Sequence, residues 1–135
     1  LASSTSAVFL QVGDGAIVYR SASSPFTPAL WPQNGEYANT TWFVTDEEAA
    51  VLVQLARVSG VDEVALLTDG LQSLALRFAS REAHGPFFEP LFRSLRGPEP
   101  AGDGAVAAFL GSERVNARTD DDKTLVLATR LREEG

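Results

Sequence analysis

The chain has 135 residues, 44% of them hydrophobic, which is the length and apolar content expected of one domain spanning 1–135. Eighteen acidic side chains against eleven basic ones give a net charge of −7, a balance that repels phosphate backbones and anionic lipid heads, so neither nucleic acid nor a membrane is expected as a partner. With no cysteine and one histidine, His84, disulfides and thiolate metal sites are excluded, and any metal site must be built from oxygen, which suits magnesium, manganese or calcium.

The N-terminus has neither the positive charge nor the cleavable apolar segment of a secretory signal. No apolar run approaches the roughly 20 residues that cross a bilayer, and a cytoplasmic location is expected. The chain opens without methionine and almost at once enters the strand-like run Ala7 to Val12, so it reads as a piece of something longer. Ala16 to Arg20 is a second β-prone run. The Gly13-Asp14-Gly15 between them has the composition of a turn, which predicts a hairpin with Asp14 at its tip.

From Ser21 to Asn39 the composition shifts to Ser, Pro, Gly and Asn, with Pro25, Pro28 and Pro32, and predicts a long irregular loop. Thr40 to Val44 is β-branched and aromatic and reads as a strand. Thr45-Asp46-Glu47-Glu48 has the form of a capping box, where a helical turn can begin. Val51 to Val58 fits helix or strand. Its valines, and the turn-like Ser59-Gly60-Val61-Asp62 that leads into Glu63 to Thr68, favour a strand.

At Gly70 the period changes: Leu71, Leu74, Ala75 and Phe78 share one helical face, predicting a helix that ends near Ser80. Pro86 to Leu95 repeats the pattern with Phe87, Phe88, Leu91, Phe92 and Leu95, stopped by Gly97-Pro98. A short helix is predicted from Gly104 to Leu110 with Asp103 as its N-cap, and Lys123 to Thr129 is the last strand. Strands at both ends and helices between them make an α+β layout rather than alternating βαβ units.

Three of the strand-like runs adjoin aspartates: Asp14 in Val-Gly-Asp-Gly, Asp69 in Leu-Leu-Thr-Asp-Gly, and Asp121 within Asp120-Asp121-Asp122. Singly, each has a plainer explanation, because Asp-Gly is a common turn pair, Asp69 can cap the helix from Gly70, and the acidic run can guard a sheet edge. Together they place carboxylates where sheet meets solvent, a geometry that suits a hard cation and metal-assisted phosphoryl chemistry. A calcium loop counted from Asp120 fails, since Leu125 stands at its glycine and Leu131 at its glutamate. No P-loop or dinucleotide fingerprint is present. His84 lies in a loop without a nucleophile motif and reads as an ordinary loop histidine.

In order and spacing, these segments resemble the metal-dependent serine/threonine protein phosphatases of type 2C, in a bacterial branch of that family. Gly13-Asp14-Gly15-Ala16 is similar to the family's Gly-Asp-Ser-Arg-type hairpin, Thr68-Asp69-Gly70-Leu71 to its Ser-Asp-Gly-Leu motif, and Asp121-Asp122-Lys123-Thr124 to its Asp-Asn-x-Thr motif. The stretches Gly35 to Thr41 and His84 to Phe92 resemble signatures of the branch. The resemblance implies part of a four-layer α-β-β-α sandwich, two antiparallel sheets flanked by helices. It also implies hydrolysis of phosphoserine and phosphothreonine in a phosphoprotein substrate by a metal-activated water, with Mn2+ or Mg2+ as cofactor.

By the same resemblance, Asp69 and Asp121 are carboxylate ligands of the catalytic metals, and Asp14 joins Asp69 at an accessory metal. Asp122 stands where the family often has asparagine, which leaves the pairing of Asp120, Asp121 and Asp122 open. The family's N-terminal half, with an Asp-Gly-x-Gly motif bridging both metals and a phosphate-binding arginine, has no counterpart. The chain resembles the C-terminal half of a catalytic domain, which implies inactivity alone and sheet edges that meet either the missing half or a second copy. The alternative is a catalytically inactive phosphatase-like module that binds or regulates another protein through the Ser21–Asn39 loop and Trp31.

Overall fold

The computed structural model describes residues 1–3, 5–22, 24–33, 45, 49–100 and 102–131. They form Ser6–Gln11 (β1), Ala16–Arg20 (β2), Thr27–Leu30 (β3), Ala49–Leu52 (α1), Gln54–Ser59 (β4), Glu63–Leu67 (β5), a 3-10 turn at Asp69–Leu71, Gln72–Ala75 (α2), Leu76–Arg77 (β6), Glu82–Ala83 (β7), Gly85–Leu95 (α3), Asp103–Leu110 (α4), Glu113–Asn116 (α5) and Leu125–Thr129 (β8). The expected strand over 40–44 and residues 46–48 of the capping box lie outside the described residues.

The strand β2 is buried along almost its whole length because it sits inside an antiparallel sheet, ordered β3-β2-β5-β8, and is itself covered on both faces. The two-residue period of a strand sorts its side chains. Ala16 and Val18 point to the helical side and share a core with Ala65, Leu67, Leu71, Phe88 and Phe92. Ile17 points the other way, into a second core with Ala7 and Phe9 of β1. There β1 pairs antiparallel with β4 to form a second sheet. The result is the α+β arrangement expected: two antiparallel sheets, with helices against the larger one.

Several local expectations are corrected. The runs β1 and β2 do not form a hairpin; β1 pairs with β4 and β2 with β3 and β5, so Gly13–Gly15 carries the chain from one sheet to the other. Both runs are apolar enough to pack face to face, and local composition does not distinguish that from edge-to-edge pairing. The irregular loop after Ser21 contains β3, which tolerates Pro28 because it lies at the edge of its sheet, next to a register shift between Ile17 and Val18.

Helix α2 stops at Ala75, well before Ser80. Leu76 turns extended and buried, His84 N–H donates to the Ala75 carbonyl at 2.7 Å, and Leu76 pairs with Ala83. Phe78 leaves the expected helical face and sits edge-on to Trp31, 5.5 Å between ring centres. The N-cap of α4 is Gly102, with Asp103 in the first turn and no side-chain cap. Residues 51–58 divide between the end of α1 and the strand β4.

A buried ion pair fastens the sheet to the helices. Arg20 and Glu63 are opposite one another on β2 and β5, and Arg20 Nε donates to Glu63 Oε2 at 2.6 Å. Arg20 Nη1 also donates to Glu89 of α3 at 2.6 Å, and its guanidinium lies 4.2 Å from the centre of the Phe26 ring. Arg96 Nε approaches Glu63 Oε1 to 3.1 Å but directs its N–H to the Phe92 carbonyl, so that oxygen is held by charge without a hydrogen bond. Truncating one member of a buried pair strands the other. Arg20→Ala is therefore expected to lower stability by roughly 3 kcal/mol or more in urea unfolding; a loss under about 1 kcal/mol would show a pair worth no more than a surface one.

Candidate metal centre

Ala16 of β2, Leu67 of β5 and Leu125 of β8 lie in one row across the sheet. The segments beyond that row leave the same end: Gly13–Gly15 runs into β2, Thr68–Gly70 leaves β5, and Asp120–Thr124 runs into β8. Asp14, Asp69 and Asp121 thus occupy one rim, with Asp69 on the central segment. At Gly13 the backbone has φ +97°, which a side chain rarely adopts, and the turn there presents Asp14 to solvent. Gln72 Nε2 donates to the Asp14 carbonyl, tying this turn to α2.

The segments carrying Asp69 and Asp121 are locked together. Thr68 N–H donates to the Thr124 carbonyl at 3.2 Å, and Thr124 N–H donates to the Thr68 hydroxyl at 3.0 Å. This pair extends the β5–β8 ladder one step past Leu67 and Leu125. Just beyond it, Gly70 is buried against the acidic run. A Cβ placed there would lie 3.3 Å from the Asp121 Cβ and collide with the Asp122 carbonyl. Glycine is needed at this point for close approach of two backbones.

The rim concentrates negative charge. Asp14, Asp69 and Asp120 to Asp122 are all exposed, and none of them forms an ion pair with another of the described residues. Lys123, next to the run, donates its ammonium to Asn116 Oδ1 at 2.9 Å. Asp69 Oδ1 accepts the Gly70 N–H at 2.9 Å and Asp121 Oδ1 the Asp122 N–H at 2.8 Å, while Asp121 N–H is held by the Thr119 hydroxyl at 3.3 Å. Each of these two carboxylates keeps its second oxygen for another partner.

An all-oxygen donor set of this kind fits magnesium or manganese. The described residues furnish only part of an enclosure, since no group of three carboxylate or imidazole side chains among them converges closely enough to hold a metal ion. Asp69 and Asp121 come together through Gly70; Asp14 reaches the same rim from the far side of β5. His84 is elsewhere, accepting from Arg77 Nε at 3.1 Å. Sequence reasoning placed the aspartates at strand ends but missed Gly70 as the contact that sets their spacing. The only signal for it was the Asp-Gly pair, which also marks ordinary turns.

Residues 1–111 of this α+β chain, two antiparallel sheets with flanking helices, match the family model for Protein phosphatase 2C. The chain belongs to that family. It is similar to "Serine/threonine-protein phosphatase 3" of Escherichia coli (strain K12), 40% identical over an alignment covering 90% of this chain and 49% of the relative. The chain thus spans about half the length of the curated relative it matches. No solved structure matches it. Asp14 and Asp69 lie within the segment matched to the family, and Asp121 lies beyond it.

The contact at Gly70 yields a test. Gly70→Ala is expected to destabilise the protein by about 1–3 kcal/mol, the range for overpacking a filled site. Gly104→Ala, in α4 with open space around its Cα, should stabilise by up to about 1 kcal/mol through helix propensity. Equal behaviour of the two variants in denaturant titration would show that the two acidic segments are not packed as described.

Proposed function

We propose that this chain supplies one side of a two-metal site that hydrolyses phosphoserine and phosphothreonine in proteins, with Mn2+ or Mg2+ as the cofactor, in the cytoplasm. The observation that carries this reading is the gathering of Asp14, Asp69 and Asp121 on one sheet rim with no cation paired to them among the described residues. In this reading Asp69 and Asp121 hold the catalytic cations and Asp14 joins Asp69 at an accessory one. Bound there, the cations supply an activated water and neutralise charge on the transferring phosphoryl group.

The chain's own part is positional. Short aspartate side chains on a rim fixed by the Thr68–Thr124 bonds and the Gly70 contact lose little freedom on taking up a cation. The acidic run beside them, with Asp122 donating its N–H to Asp121, holds that carboxylate in one orientation.

Activity is proposed to require a complementing segment. The inner face of β5 and β8 carries the paired Leu66 and Val126, 40% and 53% exposed, beside a cleft of about 310 Å3 that the β1–β4 sheet does not fill. On the outer face of that small sheet, the paired Leu10 and Leu55 are 57% and 65% exposed. Apolar pairs on both faces suit further strands and helices, supplied by the half of the fold that the chain does not share with its relative or by a second copy.

The test is to combine the full chain with the half of the E. coli relative that it does not cover and to assay phosphopeptide hydrolysis with manganese. Hydrolysis is expected only in the combination, and Asp69→Asn should lower kcat by about 10²-fold or more. Full activity in the Asp69→Asn variant would refute that ligand. A second reading, a catalytically inactive binding module, is favoured by the incomplete convergence of the acidic side chains. Calorimetric titration separates the two: specific manganese uptake by the combined protein favours the enzyme, and a folded complex that takes up none favours the module.

A further inference from the structure

Although the chain carries a net charge of −7, one of its cavities is lined by basic groups. It has a volume of about 280 Å3 and lies among α2, β6, the first turns of α3, and α4–α5. Arg77, His84, Arg114 and Arg118 line it, and no carboxylate does so among the described residues. Arg114 lies in α5 and Arg118 in the turn that follows it, where Arg118 N–H donates to the Val115 carbonyl at 2.9 Å. None of the three guanidinium groups has a carboxylate within ion-pair distance among the described residues. Because Arg77 Nε donates to His84 Nδ1, the imidazole keeps Nε2 as its N–H donor. Phe87 and Phe109 add apolar wall.

We propose that this cavity binds a phosphate dianion borne on a larger body, and that the body is a phosphoprotein segment carrying a second phosphorylated residue beside the one to be hydrolysed. Three planar guanidinium forks and a ring N–H match the several oxygens and near-double charge of a phosphoryl group. A single carboxylate offers two oxygens and would leave crowded cations unmatched. The volume exceeds what an inorganic phosphate fills, and the aromatic walls suit the carbon of a carrier.

The location favours a substrate. Ser73, also in the lining, follows Asp69 by four residues, and Arg118 precedes Asp121 by three, so the cavity grows out of the two segments that form the acidic rim. By that chain continuity, a peptide with one phosphate at the rim can reach toward this basic wall. The identity of the carrier rests on the phosphatase reading; the anion site itself does not.

The experiment measures binding to the full chain by calorimetry in excess chelator, so that no cation bridges ligands to the rim. Its probes are a doubly phosphorylated peptide, the same peptide with glutamate at both positions, and inorganic phosphate. The phosphopeptide is expected to bind, and Arg77→Ala with Arg118→Ala to weaken it at least tenfold. Arg77→Lys with Arg118→Lys, which keeps the charge but loses the fork, should recover part of the loss, whereas a merely collapsed cavity would recover none. Equal binding of the glutamate peptide, or binding insensitive to the arginines, overturns the proposal. Binding of inorganic phosphate alone, with the same arginine dependence, overturns the peptide carrier. Arginine-dependent binding without manganese-dependent hydrolysis in the combined protein would sink the phosphatase reading and leave the anion site standing; hydrolysis without such binding would do the reverse.

Discussion

The Arg20–Glu63 pair fixes more than its own neighbourhood. It lies at one end of the β2–β5 ladder, and the acidic rim lies at the other, where Ala16 faces Leu67. Because strand side chains alternate, a slip of one residue would turn Ala16 and Val18 away from the helical core and draw Ile17 into it. Such a slip would also separate Arg20 from Glu63 in a place where both are largely buried, at a cost of several kcal/mol. Charge pairing at the far end thus sets the register that delivers Asp14 and Asp69 to the same edge. Through Glu89, the same guanidinium binds α3 to the sheet and with it the Phe88 and Phe92 core.

The two charged features of the molecule are arranged by a short stretch of chain. From the rim, Asp69 leads through the 3-10 turn and α2 to Arg77, and on the return path Arg118 leads to Asp121. Each traverse runs from one sign of charge to the other within about two helical turns, and the buried contacts of Leu71, Ala75 and Val115 hold both traverses against the core. Anionic and cationic groups stay apart without salt bridges cancelling them, among the described residues. Charges left unpaired by folding are available to ligands, and fixed opposite fields side by side orient an anionic partner as it arrives.

Much of this was legible in the sequence where a segment's pattern is settled by its own residues. The strands β2, β5 and β8 and the helix α3 follow from apolar runs and from the phenylalanine spacing of 87, 88 and 92, and the rim aspartates follow from their place at strand ends. What was illegible depended on partners distant in the chain. Whether β1 pairs with β2 or stacks across from it is decided by β4, more than forty residues away in sequence. The early end of α2 is decided by Ala83, which offers Leu76 a strand partner, and β3 was hidden because proline marks loops and edge strands alike. At the candidate site, residue type was readable but spacing was not: the approach at Gly70 depends on Asp122, and the Asp-Gly pair at Gly70 marks ordinary turns as well.

The uncovered apolar pairs bear on where the stability of the fold resides. The helical side of the β3-β2-β5-β8 sheet is closed over its centre: Ala65, Leu71, Phe88 and Phe92 are essentially inaccessible to water. The opposite side is finished only over β2 and β3, where Phe9, Ile17 and Leu30 are covered by the small sheet. Stability therefore resides in the helical core and the Arg20 network, while the open side has apolar area left to bury, worth about 25 cal/mol for each Å2 removed from water. A scaffold so divided anchors the acidic rim from its helical side. The rim adjoins that open face, since Thr68 and Thr124 line the same cleft as Leu66 and Val126. A segment laid over that face would pass beside the aspartates, so in the proposed two-metal reading covering the face and closing the site are physically one event.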